Sequence, residues 1–172
     1  MFNSGISVLI IMKYQSKILI IEDDSITGSL LLNFLLSKGY AVYWASNGAC
    51  GIQKAFEFSP NLILCDIKMD PIDGFQVFGV LKESSLLDKV PFIFITGNSD
   101  LEDVRKGLDL GVDDYFVKPI VPERLLSSIE KRLLKYKKIK EVGRNEFKAL
   151  ADISPNGIFL FDGLKKSDYN DL

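Results

Sequence analysis

Histidine is missing from this chain altogether. Within the sequence that removes a histidine general base, a histidine metal ligand and a phosphohistidine carrier. Cysteine is scarce: Cys50 and Cys65 stand far apart, each among residues that read as buried, so neither a disulfide framework nor a metal knuckle is expected. A reducing cytoplasm fits that usage. Charge of one sign is lacking too, since 21 Lys and Arg face 23 Asp and Glu for a net charge of −2. No bulk attraction toward nucleic acid or anionic lipid follows, and any partner must be recognised locally. Long apolar runs are also missing: Val8 to Met12 is far too short to span a bilayer and lacks the basic flank and cleavage site of a signal peptide, so export is not expected.

What is present is a core. With 172 residues, 47% of them hydrophobic, the chain can bury one domain and carry a short appendage. Met12 opens MKYQSKILIIEDD and makes a natural start, so residues 1–11 are read as an upstream extension, and residues 1–16 together as the N-terminal extension before the fold begins at Lys17.

Five strand-length apolar runs follow: KILII at 17–21, AVYW at 41–44, LILC at 62–65, VPFIFI at 90–95 and DYFV at 114–117. Helix-length segments separate them. Ile26, Leu30, Leu31, Phe34 and Leu35 share a helical face; so do Ile52, Ala55 and Phe56, then Phe75, Phe78 and Leu81, then Leu101, Val104 and Leu108. Runs apolar at nearly every position are expected to be covered on both faces, and alternation with helices makes right-handed parallel crossovers. The expectation is an α/β doubly wound parallel sheet over residues 17–138, in which ligands bind beyond the carboxyl ends of the strands.

A fifth helix is expected from Pro122, which suits a first turn, to about Gly143. Lys131, Arg132, Lys135, Lys137, Lys138 and Lys140 make its far end basic. A solvated basic face, a coiled-coil linker and a nucleic-acid surface are the three readings, in that order of expectation.

Polar residues cluster where strands end. Glu22, Asp23 and Asp24 follow the first strand and Asp66 the third. Carboxylates within about 5 Å repel by several kcal/mol at an effective dielectric near 20, so the group demands protonation or a cation. A hard, oxygen-seeking ion such as Mg²⁺ is the simplest answer. Thr96 follows the fourth strand, and Lys118 with Pro119 follows the fifth. An aspartate attacking a phosphoryl group needs a metal and cationic or hydrogen-bonding groups on the equatorial oxygens, and Mg²⁺, Lys118 and Thr96 would supply them. Taken singly, Asp23 or Asp24 as a helix cap, Asp66 in a loop, Thr96 as a cap near Asp100 and Lys118 as a surface lysine are plainer accounts. Four strand ends bearing the needed groups together make coincidence a poor one.

The motifs ILIIEDD, LILCDIKMDPIDG, FIFITG and GVDDYFVKP resemble those of a response-regulator receiver domain of two-component signalling, over about seven tenths of the chain. The resemblance implies the flavodoxin-like (βα)5 fold with strand order 2-1-3-4-5. It implies Asp66 as phosphoacceptor, Glu22 and Asp23 with Asp66 as the Mg²⁺ ligands, and Lys68 as a ligand through its carbonyl. Thr96 and Tyr115 would be the switch pair, Lys118 the phosphate-binding lysine, and the Lys118–Pro119 bond cis. A histidine kinase or phosphotransfer protein would be the donor, lying on another molecule or in a missing segment because this chain has no histidine. The output would be a downstream protein or a missing C-terminal domain, with a homodimer possible through the fourth helix, fifth strand and fifth helix. No helix-turn-helix is readable, so direct nucleic-acid binding is not expected, nor is membrane association. The chain would be no enzyme beyond its own phosphorylation and dephosphorylation. An aspartyl-phosphate phosphatase or hydrolase is the competing class; it would want an acid or base two residues past the nucleophile, where Lys68 stands.

Two positions depart from the family pattern. Asp70 stands where proline is common, with Pro71 next, and Lys68 puts a cation two residues past the acceptor. Farther on, EFKALADISPNGIFLFD at 146–162 is similar to the opening of a PAS domain, within a linker helix and partial PAS-like segment spanning 139–172.

Overall fold

The structure is a computed structural model that describes residues 16–97, 105, 107 and 109–153, with only the backbone described from residue 146 onward. The chain divides into two units, one ending at Lys137 and the other beginning at Lys138.

Five strands form one parallel sheet: β1 (Lys17–Ile21), β2 (Ala41–Ala45), β3 (Leu62–Asp66), β4 (Phe92–Thr96) and β5 (Asp114–Val117). Their order is β2-β1-β3-β4-β5, as expected. The three inner strands are buried at almost every position because helices cover both faces. The outer two are not: β2 is mostly half-buried and β5 nowhere fully buried, each having a partner on one side only.

Helices α1 (Ser25–Ser37), α2 (Gly48–Phe58) and α3 (Gly74–Lys82) fill the first three crossovers. Each starts at a short polar residue whose oxygen accepts an otherwise unpaired N–H of the first turn. Asp24 Oδ1 accepts from Thr27 N at 2.7 Å and Asn47 Oδ1 from Cys50 N at 2.8 Å. At α3 the cap is reciprocal, Gln76 N to Asp73 Oδ1 at 2.7 Å and Asp73 N to Gln76 Oε1 at 3.0 Å. The fourth crossover is helical at residues 105, 107 and 109; the expected face of Leu101, Val104 and Leu108 lies outside the described residues. The last helix, α4, runs Pro122–Ile153. It continues ten residues past the expected stop at Gly143, where no proline follows to enforce termination and lysine and glutamate on either side favour continuation.

Alternation along the strands divides the core in two. Leu19, Ile21, Ile63, Cys65, Phe92 and Phe94 meet α2 and α3 on one face. Ile18, Ile20, Leu62, Leu64, Ile93 and Ile95 meet Leu31 and Leu35 of α1 and Leu125, Ile129 and Leu133 of α4 on the other. Phe78 stands edge-on to Phe92, ring centres 5.1 Å apart, and Phe75 edge-on to Phe94 at 5.0 Å. The expected α1 face is only half right: Leu31 and Leu35 are buried, but Ile26 and Leu30 are 69% and 66% exposed. Five apolar residues on one helix exceed what a single contact stripe covers. Phe56 of α2 is exposed for the same reason, with Ala55 taking the core position.

Candidate functional site

Register brings the strand ends together. Ile21 pairs with Cys65, and one residue further along each strand stand Glu22 and Asp66. Asp66 pairs with Ile95, and Thr96 with Val117, which places Thr96 and Lys118 on the same rim. This rim lies where the sheet order reverses, between β1 and β3.

Glu22, Asp23 and Asp66 each offer a carboxylate oxygen within 4.8 Å of the others. Glu22 is 1% and Asp66 6% exposed, whereas Asp23 faces solvent. Lys118 is no ordinary surface lysine: its ammonium lies 2.7 Å from Asp66 Oδ2 and 3.0 Å from Glu22 Oε1. Glu22 Oε2 is also 2.9 Å from that ammonium, but off the hydrogen-bonding direction and without a hydrogen-bond partner among the described residues. Burial, reinforced by the neighbouring charge of Asp66, pushes the Glu22 carboxyl up to about 7 against the pull of Lys118. Burial disfavours the charged form of Lys118, yet its bonds to Asp66 and Glu22 outweigh that and leave its pKa raised.

These residues fit a hard divalent cation. Three carboxylate oxygens within 4.8 Å of one another are near enough for one small, oxygen-seeking ion to draw them together and offset their mutual repulsion. A buried carboxylate oxygen without a hydrogen-bond partner is a ready ligand, and Asp23 supplies the open, solvent-facing side. Lys68 N donates to Asp66 Oδ1 at 3.2 Å, which turns the loop after β3 back toward the strand's end while the Lys68 side chain stays exposed. Asp23, Lys68, Asp70 and Asp73 line the adjoining cleft.

Thr96 is fully buried, and its carbonyl accepts from Lys118 N at 2.7 Å. Tyr115 is half-buried in β5, paired with Phe94 and packed against the α2–α3 side of the core. The Lys118–Pro119 bond is cis as expected, and so is Asp70–Pro71. Asp24, grouped with the acids on sequence, serves instead as the α1 cap, which holds its carboxyl below the usual range.

Sequence reasoning overlooked two supports. Gly74 approaches β3 so closely that a Cβ would meet Asp66 O at 2.3 Å. Trp44 Nε1 donates to Glu22 O at 2.8 Å. The signal for the second was a lone tryptophan near the end of the strand beside β1. Cys65, next to Asp66 in β3, is buried with its thiol donating to Asp66 O at 3.1 Å, and burial pushes its pKa well up.

The sequence profile described as "Response regulator receiver domain" matches residues 18–130. A probable transcriptional regulator, ycf29, of Pyropia yezoensis is 34% identical over 113 residues, 66% of this chain and 51% of that protein. The chain thus spans about half the length of the curated relatives it matches. The crystal structure of a CheY-like response regulator receiver domain protein from Methanospirillum hungatei JF-1 superposes with a TM-score of 0.67 at 30% identity, covering 72% of this chain and 97% of that one. The receiver domain of the sensor histidine kinase PA1611 of Pseudomonas aeruginosa PAO1, whose structure has a magnesium ion coordinated in the active site cleft, gives a TM-score of 0.64 at 24% identity over 69% of this chain and 97% of that one. At that identity the likeness speaks for the fold.

Proposed function

Because the chain belongs to the response regulator receiver domain family, we propose that it accepts a phosphoryl group on Asp66 from a histidine kinase or phosphotransfer protein, in a Mg²⁺-dependent reaction. The observation that carries this is the meeting of Asp66 Oδ2 with the Lys118 ammonium at 2.7 Å beside the oxygens of Glu22 and Asp23.

In this reading a carboxylate oxygen of Asp66 forms the bond to phosphorus as the phosphorus–nitrogen bond of a donor phosphohistidine breaks, and the freed imidazole takes a proton from solvent. Glu22, Asp23 and Asp66, with the Lys68 carbonyl, would hold Mg²⁺, which when bound neutralises charge on the equatorial oxygens and orients them. Lys118 exchanges its contact with Asp66 for one to the phosphoryl group, keeping the ammonium beside the charge. Burial of Asp66 excludes bulk water from the bond that forms. Thr96, one strand away, turns its hydroxyl to the modified aspartate, and Tyr115 occupies the space vacated along β5. The surface around β5 and α4 then changes partner, and a homodimer through that face is one such output.

Residues 17–138 form the receiver domain in this reading, 1–16 an extension, and 139–172 a linker helix leading into a PAS-like segment; the latter's residues beyond 153 lie outside the described ones. The setting in this reading is cytoplasmic, where free thiols such as Cys50 and Cys65 stay reduced. The chain itself makes no nucleic-acid contact and catalyses no reaction other than its own modification and release. The test is incubation with Mg²⁺ and acetyl phosphate, followed by intact mass. The chain should gain one phosphoryl group and Asp66→Asn none; an equal gain in Asp66→Asn would remove the proposal.

A further inference from the structure

Glu22 is held at both of its backbone polar groups by neighbouring residues of β2. Its N–H donates to Ala45 O at 3.0 Å, and its carbonyl accepts from the indole Nε1 of Trp44 at 2.8 Å. That carbonyl belongs to the peptide joining Glu22 to Asp23, so the indole fixes the plane on whose two ends the acidic side chains are mounted. Backbone amides elsewhere on β1 and β2 pair with each other; here, where the strands part, a side chain continues the ladder by one bond.

The indole in turn is seated by α1. A Cβ at Gly28 would lie 2.3 Å from Trp44 Cε2 and 2.5 Å from Nε1, so only glycine lets the ring reach the carbonyl. Gly28 N donates to Asp24 O at 2.9 Å, and Asp24 N lies 3.3 Å from Glu22 Oε1. The acidic loop, the first turn of α1 and the ring therefore constrain one another within a few residues.

We infer that Trp44 is a positioning residue for the divalent-cation site, orienting the Glu22–Asp23 peptide through its indole N–H, with Gly28 providing the room. The inference rests on the Mg²⁺ reading above. Without the N–H, the Glu22 carbonyl turns to water, the peptide plane gains rotational freedom, and the oxygens of Glu22 and Asp23 lose their fixed spacing toward Asp66. Partners that orient metal ligands from outside the coordination sphere typically change metal affinity 10- to 100-fold, and loss of one bond at a half-buried position belongs at the low end, about tenfold.

Trp44 is the sole tryptophan, so replacing tryptophan by benzothienylalanine, with sulfur in place of the indole N–H, alters this residue alone. Mg²⁺ binding to the full chain is measured by isothermal titration calorimetry, well below the metal-free melting temperature. About tenfold weaker binding at an unchanged metal-free melting temperature is expected. Unchanged affinity overturns the inference, whatever the melting temperature does. A natural chain that takes up no Mg²⁺ at millimolar concentration overturns the cation reading itself, which separates the two failures. Gly28→Ala, which displaces the ring, should weaken Mg²⁺ by a similar factor, and adding Trp44→Phe should weaken it no further; fully additive losses would show two unrelated routes and overturn the shared one.

Discussion

The ammonium of Lys118 lies 2.7 Å from Oδ2 of Asp66, although 52 positions separate the two residues in the chain. The contact closes the carboxyl rim of the sheet from β3 to the residue after β5, and the same ammonium reaches Glu22 after β1. Removing it exposes what it balances. Lys118→Met should destabilise the metal-free chain by about 2 kcal/mol, less than for a fully buried pair because the Lys118 side chain is 22% exposed. Mg²⁺ should restore more stability in this variant than in the natural chain, since the cation no longer competes with an ammonium, while phosphorylation by acetyl phosphate falls about 100-fold. Urea unfolding with and without Mg²⁺, alongside intact mass, reads both effects. Equal Mg²⁺ stabilisation of the two proteins would contradict the competition.

The close approach of α3 to β3 gives a second expectation. In Gly74→Ala a new Cβ would press on Asp66 O and on Ile67 Cα, 2.9 Å away, and both are backbone atoms that cannot swing aside. A loss of about 2–3 kcal/mol is expected in urea unfolding. Because the strain falls on the end of β3 at Asp66, the rate of the proposed phosphorylation should drop as well. A variant as stable as the parent would mean that α3 shifts freely.

Tyr40 is 4% exposed and its hydroxyl has no hydrogen-bond partner among the described residues. Burial, with the charge of Glu130 added, pushes its pKa up to about 12. A phenol raised in the fold contributes stability that is whole below the unfolded value near 10 and disappears as pH rises toward 12. Tyr40→Phe should therefore gain about 1 kcal/mol at neutral pH and lose less stability than the natural chain between pH 10 and 11.5. Chemical denaturation at both ends of that interval decides it, other titrations being common to the two proteins.

Among the described residues Lys68 meets Asp66 through its backbone N–H, so Lys68→Ala keeps that contact and deletes the charge. We predict that the ammonium shields the acyl phosphate from water; the phosphorylated variant should hydrolyse about two- to fivefold faster, the range of an exposed ion pair. An unchanged phosphate half-life ends the idea.

How far the sequence carried the reading varies with the kind of information each residue holds. KILII and DYFV appear as strands at the expected bounds, because an apolar run between turn residues is a local signal. LILC and AVYW each extend one residue further, through Asp66 and Ala45, since ladder pairing continues past the apolar run. The partial burial of β2 and β5 was not legible, as nothing in AVYW or DYFV reveals that a strand stands at an edge. Ile26 and Leu30 misled for a related reason: the helical face tells which residues align, and tertiary geometry alone tells how wide a stripe the sheet accepts. The site was more legible than its surroundings. Glu22, Asp23, Asp66, Thr96 and Lys118 stood at strand ends in the sequence and meet at one rim in the fold. That the Lys118 ammonium would sit on Glu22 and Asp66, and that Trp44 would hold the Glu22 carbonyl, depends on side-chain reach across β-neighbours that no local pattern encodes.

The sealed position of Cys65 makes the chain behave toward thiol reagents as if it had a single cysteine. Cys50 on α2 takes the label first, leaving β3 untouched. Whatever slow second labelling follows at Cys65 then serves as a clock for the parting of β3 from its neighbours, and Mg²⁺ or phosphorylation can be read by how much they slow it.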